Sequence, residues 1–120
     1  MQIDELRDYC LAKPGTTEST PFDEVTLVFK VMNKMYALTG LEREPQGVNL
    51  KCDPERVEEL RAQYAGILPG YHMSKVHWNT VLLQDDVPDR EIIALIDHSY
   101  DLVVASLPKY KQRELAELSS

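Results

Sequence analysis

Hydrophobic positions along this 120-residue chain switch between two spacings, and each switch marks an element. Ile3, Leu6 and Cys10 recur at helical intervals. Asp4, Glu5 and Asp8 come early and Lys13 late, an order that complements a helix dipole. Lys13-Pro14-Gly15 ends that helix. Thr16–Thr20 reads as polar loop, and Pro21-Phe22 leads the chain back toward the core. From Val25 the period becomes two, with Val25, Leu27, Phe29 and Val31 on one face and Thr26, Val28 and Lys30 on the other. Asn33-Lys34 suits a tight turn because Asn tolerates positive φ. Met35, Ala37, Thr39 and Leu41 then alternate against Tyr36 and Leu38, which completes a hairpin. Gly47–Cys52 adds a third strand with Val48, Leu50 and Cys52 on one side.

Asp53-Pro54-Glu55 starts a helix, since Asp caps, Pro suits the first turn and acids follow. It buries Val57, Leu60 and Tyr64 and stops at Gly66. Ile67–Tyr71 carries a Pro-Gly turn, and Val76–Leu83 reads as a strand. Asp86 is placed to cap a long helix reaching Leu107, whose stripe is Ile92, Leu95, Ile96, Ser99, Leu102, Val103 and Leu107. Pro108 interrupts it, and residues 108–120 form a C-terminal tail, helical in part and partly flexible. The expected fold is one α+β domain over residues 1–120. Its order is α-β-β-β-α-β-β-α, an antiparallel sheet of about five strands packed by three helices.

Composition narrows the functional classes. The formal net charge of −7 opposes a strongly positive surface, the usual source of affinity for nucleic-acid phosphates. Residues 25–36 and 70–81 nevertheless hold lysines and no acid. No apolar run is long enough to span a bilayer, and the acidic N-terminus lacks the pattern of a signal peptide, so a cytoplasmic protein without a membrane partner is expected. Cys10 and Cys52 stand far apart and read as buried, reduced thiols.

Several stretches then agree with a known family. Tyr71-His72-Met73, Lys75 and His77-Trp78-Asn79-Thr80-Val81 resemble the signature of the MmcQ/YjbR family. Pro21-Phe22, Lys34-Met35-Tyr36-Ala37-Leu38, Leu50-Lys51-Cys52-Asp53-Pro54 and Ser99-Tyr100-Asp101-Leu102-Val103 agree in order and spacing. One departure is Met32-Asn33 at the hairpin turn, where members of the family often carry glycines. The resemblance implies a CyaY-like or secretion-chaperone-like fold and a proposed double-wing contact to DNA through hairpins. It supplies no catalytic residues.

Candidate binding residues follow from charge and position. Lys30, Lys34, Lys51 and Lys75 flank strands and would form a basic patch with His72 and His77 if the sheet gathers them; alternatively they keep sheet edges soluble. Asn79 and Thr80 offer hydrogen bonds on the signature strand. Trp78, Tyr71 and Tyr36 either stack on a ligand or fill the sheet–helix core. His72 and His77 are five apart, which on one strand places them on opposite faces and argues against a shared metal. No carboxylate pair, nucleophile elbow or glycine-rich phosphate loop is present, so neither enzymatic activity nor a cofactor is expected. The expected function is a monomeric, non-enzymatic binding module contacting duplex DNA weakly through its sheet and hairpin face. The alternatives are a protein-interaction or chaperone-like adaptor, and a small-ligand domain using Tyr71, His72 and Trp78.

Overall fold

A computed structural model describes residues 1–118. Helix α1 spans Ile3–Leu11, and the Glu5 carboxylate accepts the Gln2 N–H at its start. Strands β1 (Thr16–Ser19), β2 (Thr26–Val31), β3 (Lys34–Gly40) and β4 (Gly47–Lys51) follow. Then come α2 (Pro54–Gln63), β5 (Ile67–Pro69), β6 (Trp78–Leu82), α3 (Asp89–Ala105) and α4 (Lys109–Leu118). The α+β class and the antiparallel sheet are as expected, and the strands lie in the order β1-β2-β3-β4-β6-β5.

The sheet gains a sixth strand where the sequence reads as loop. Thr16–Ser19 has no apolar alternation, yet it pairs antiparallel with Val28–Val31 as an edge strand. Arg7 on α1 donates two hydrogen bonds to the Glu18 carboxylate and ties that edge to the helix layer. Gly15 sits at φ +70°, and a Cβ there would lie 2.5 Å from Leu115 Cδ1, so the α1–β1 turn and α4 meet only at a glycine. Residues 109–118 of the expected tail are helical, with Leu115 buried; the helix capping expected of Asp86 does not occur. Its carboxylate accepts the N–H groups of Ala65 and Gly66, and α3 begins after Pro88.

The hairpin turn lies at Met32-Asn33, both with positive φ, where the family resemblance puts it and one residue before the Asn33-Lys34 position read from turn propensity. A β-bulge is the larger departure. Phe29 pairs with Ala37 and Lys30 with Met35, which leaves Tyr36 as an extra residue in β3. Tyr36 and Ala37 both enter the helix-side core, whereas Met35 and Leu38 face the other way. Strict alternation therefore fails at the bulge. The ladder between β3 and β4 runs only through Ala37↔Leu50 and Leu38↔Asn49. Beyond it, the buried Ser99 hydroxyl of α3 donates to Tyr36 O at 2.6 Å and accepts from Lys51 N at 2.9 Å. A polar residue in an apolar helix stripe thus serves two backbone groups that the bulge leaves unpaired.

All four helices cover one face of the sheet. Phe29, Val31, Val48, Leu50 and Val81 meet Ile92, Leu95, Ile96 and Val103 of α3, with Leu6 and Cys10 of α1 and Val57 and Leu60 of α2. The opposite face carries no helix. A small cluster of Val28, Leu38 and Trp78, with Met35 and Met73 against it, closes only its hairpin end.

Candidate functional site

The helix-free face becomes concave at the end away from the hairpin turn. There Thr26 pairs with Gly40 and Gly47 with Leu82, so two neighbouring strands each place a bare glycine in the floor at that end. Three loops rise around this low floor. They bring Phe22 and Asp23 from β1–β2, Glu42 and Arg43 from β3–β4, and Tyr71, His72 and Met73 from β5–β6. Together they enclose an open cavity of about 490 Å³, within the range of small-molecule sites.

Buried polar groups fix the β5–β6 wall. Asn49 donates to Tyr71 O at 3.0 Å, Thr80 Oγ1 donates to Asn49 Oδ1 at 2.6 Å, and Tyr71 N donates to Thr80 Oγ1 at 3.0 Å. From behind, Arg61 of α2 donates to Asn79 Oδ1 at 2.7 Å and to the carbonyls of Lys75 and Trp78. Lys75 Nζ donates to Gly70 O at 2.6 Å and closes the loop on itself. A Cβ on Gly70 would stand 2.8 Å from Trp78 Cβ and 2.9 Å from Trp78 O, so the loop leaves β5 through a position that only glycine fits. His72 is held at φ +58° with its ring 4.0 Å from that of Tyr71.

The charged groups at the rim differ in availability. Asp23 accepts the Val25 and Thr26 N–H groups and the Thr26 hydroxyl. Those bonds, the Val25 N–H first, hold its carboxyl below the usual range. Arg43 lies across Gly40, with Cβ 3.2 Å from where a Gly40 side chain would begin, and stacks its guanidinium 3.9 Å over the Tyr71 ring. Its side chain has no hydrogen bond or ion pair among the described residues.

The candidate residues read from the sequence are dispersed. Lys30 and Lys51 share the helix-free face near the hairpin turn, beside Met35 and Trp78 respectively. Lys34 pairs with Val31, a core-face position, and so lies on the other side of the hairpin. Lys75 is committed to Gly70 O. His72 lines the cavity and His77 is exposed outside it. Both precede β6 in the β5–β6 loop, so strand parity does not govern their separation. Among the described residues no three His, Cys, Asp or Glu side chains gather to hold a metal. Asn79 is 2% exposed on the helix-covered face, bound to Arg61.

The three aromatics separate. Tyr36 is in the helix-side core, Trp78 is 9% exposed in the opposite cluster, and Tyr71 is 50% exposed on the cavity wall. Phe22 does not return to the core and is 67% exposed on the rim. Cys10 and Cys52 are buried and free, and burial pushes the Cys10 thiol up to about 11. The sequence reading missed Arg43, Phe22, Met73 and Arg61. The usable signals were Gly40 and Gly47 on neighbouring strands, with an arginine between them.

Every strand, and each loop around the cavity, lies within residues 11–102, the segment that matches the family model described as YjbR. The chain belongs to the YjbR family. The uncharacterised protein YjbR of Escherichia coli strain K12 is 38% identical over 118 residues, covering 98% of this chain and 100% of that one. The uncharacterised protein YyaQ of Bacillus subtilis strain 168 is 41% identical over 76 residues, 63% of each chain. A crystal structure of a Deinococcus radiodurans protein with a DUF419 domain superposes with a TM-score of 0.89 at 44% identity. That match covers 96% of this chain and 88% of the other. A Pseudomonas syringae crystal structure gives 0.74 at 34% identity over 85% of this chain and 98% of its own. In this YjbR-family chain no helix among the described residues is long and apolar enough to cross a membrane.

Proposed function

We propose that the chain is a non-enzymatic binding module whose ligand site is the cavity on the helix-free face of the sheet. The observation that carries this reading is the cavity itself: about 490 Å³, floored by glycine positions and walled by a loop held through Asn49, Thr80 and Arg61. A preformed concave site with an apolar lining and few polar groups is the usual architecture for holding a small molecule. The Asn49 and Thr80 side chains of the wall are spent on the Tyr71 backbone, which suits a rigid receptor.

A fragment library screened by thermal shift tests this. A ligand at about 100 times its Kd stabilises the folded state by about 2.7 kcal/mol, a shift of several degrees for a domain this size. Fragments that stabilise the parent and lose that effect in Met73→Trp, which fills the cavity from its wall, support the proposal. Hits that act equally on Met73→Trp contradict it.

Duplex DNA at the hairpin end is a second reading, supported by Lys30 and Lys51 on one face. Two phosphate contacts would give a slope of about −1.8 in log Kobs against log salt concentration. A titration at two salt concentrations reads that slope directly. Binding that is absent at low salt, or indifferent to salt, removes this reading.

A further inference from the structure

Resting on the cavity as the ligand site, we infer that its ligand is a small planar aromatic carboxylate. The carboxylate would lie on Arg43 and the ring between Phe22, Tyr71 and Met73.

Two features point to that chemistry and one limits its charge. The first is the state of Arg43. Its guanidinium carbon lies 3.9 Å from the centroid of the Tyr71 ring, a cation–π contact that consumes none of its N–H groups. No carboxylate or carbonyl among the described residues takes them. A guanidinium fixed by stacking and unpaired at its edge presents the fork that a carboxylate meets with two parallel hydrogen bonds.

The second is charge balance. Asp23, Glu42 and Arg43 line the cavity together, and Asp23 is already satisfied by its own turn. Glu42 lines the same rim without forming an ion pair to Arg43. One cation beside two carboxylates leaves the rim at a net charge of −1, so a di- or triphosphate is repelled and a single carboxylate is held only by pairing directly with Arg43. The third feature is shape. Met35, Leu38 and Met73 supply an apolar, adaptable lining, and Gly40 and Gly47 keep the floor low. Phe22 offers an open ring face at its margin and Tyr71 its ring edge, beside which a flat apolar body fits.

Isothermal titration with 2-naphthoate and its neutral isostere 2-naphthamide tests the inference. The parent protein is expected to bind the carboxylate at least about tenfold more tightly than the amide, as a charge-assisted bidentate pair provides. Arg43→Gln is expected to abolish that preference, so that naphthoate and naphthamide bind with equal affinity. The melting temperature of that variant serves as the folding control, since the Arg43 side chain forms no hydrogen bond among the described residues. Glu42→Gln is expected to tighten naphthoate about threefold by removing the opposing charge. Equal affinity for the two probes, or a preference that survives Arg43→Gln, overturns the carboxylate inference and leaves the cavity reading intact. Binding of neither probe also overturns it, and the fragment screen with Met73→Trp then decides the cavity reading separately.

Discussion

On one side of the sheet, Phe29, Val31, Val48, Leu50 and Val81 lie under helices and are at most 2% exposed. On the other, the same strands offer Val28, Leu38 and Trp78 at the hairpin end and glycines at the far end, with only loops above them. Helices bring regular stripes of large side chains and fill the space over a sheet. Loops bring a few fixed residues and leave a hollow. The helix face therefore holds most of the buried apolar core, and the loop face is where we propose that the molecule binds. Substitutions on the two faces separate those roles.

The largest stability effect is expected from Ile96→Ala, which deletes a fully buried side chain of α3. Urea denaturation should register a loss of about 2–5 kcal/mol, and a loss under about 1 kcal/mol would break the contrast. Next comes Gly70→Ala, at the root of the cavity wall. Its new methyl meets Trp78 Cβ and the backbone O within 3 Å, so the loop must shift at a cost of about 2 kcal/mol. That variant should also weaken ligand binding, because the wall moves. Phe22→Ala inverts the pattern. With 67% of Phe22 exposed, its stability should change by no more than about 0.5 kcal/mol. Its naphthoate affinity should nevertheless fall, as titration calorimetry would measure.

The smallest effect is a pH dependence confined to the helix face. His98 Nε2 accepts the Asp53 N–H at 3.1 Å, which requires a neutral ring. Burial first, then the Arg56 charge, lowers its pKa from the ordinary 6.5. The unfolded chain therefore takes up the proton at higher pH than the folded one. The contribution is fully present above about pH 6.5 and is lost as pH falls through the lowered folded value. Melting temperatures between pH 7 and pH 5 should fall less steeply in His98→Gln than in the parent. Parallel profiles would assign the slope to other groups.

Much of the helix face was legible because its residues repeat. The stripe of α3, the Asp53-Pro54 start of α2 and the run Val48, Leu50, Cys52 all follow spacings that burial imposes. Thr16–Ser19 escaped because an edge strand needs only backbone pairing, which leaves no apolar alternation. Met35 was assigned to the wrong face because one extra residue at Tyr36 reverses parity, and period-two reading has no signal for a bulge. Asp86 looked like a cap for α3 but serves Ala65 and Gly66, partners distant in sequence.

The loop face was largely illegible for the same reason. Of the seven candidate binding residues, His72 lines the cavity, whereas Lys75 and Asn79 are spent on internal hydrogen bonds. Arg43 carried no pattern of its own, because its importance comes from lying across Gly40 and onto Tyr71. Loops that converge from three places along the chain make a site that no local window contains.

The most direct test of the loop face as the binding face is an amide NMR titration of the protein with 2-naphthoate. The expected shifts cluster at Thr26, Leu38, Gly40, Arg43 and Asn49 and across Tyr71–Met73, with Lys30, Lys51 and α3 unmoved. Shifts concentrated at the hairpin end or on the helices, or no saturable shift at all, would contradict the account.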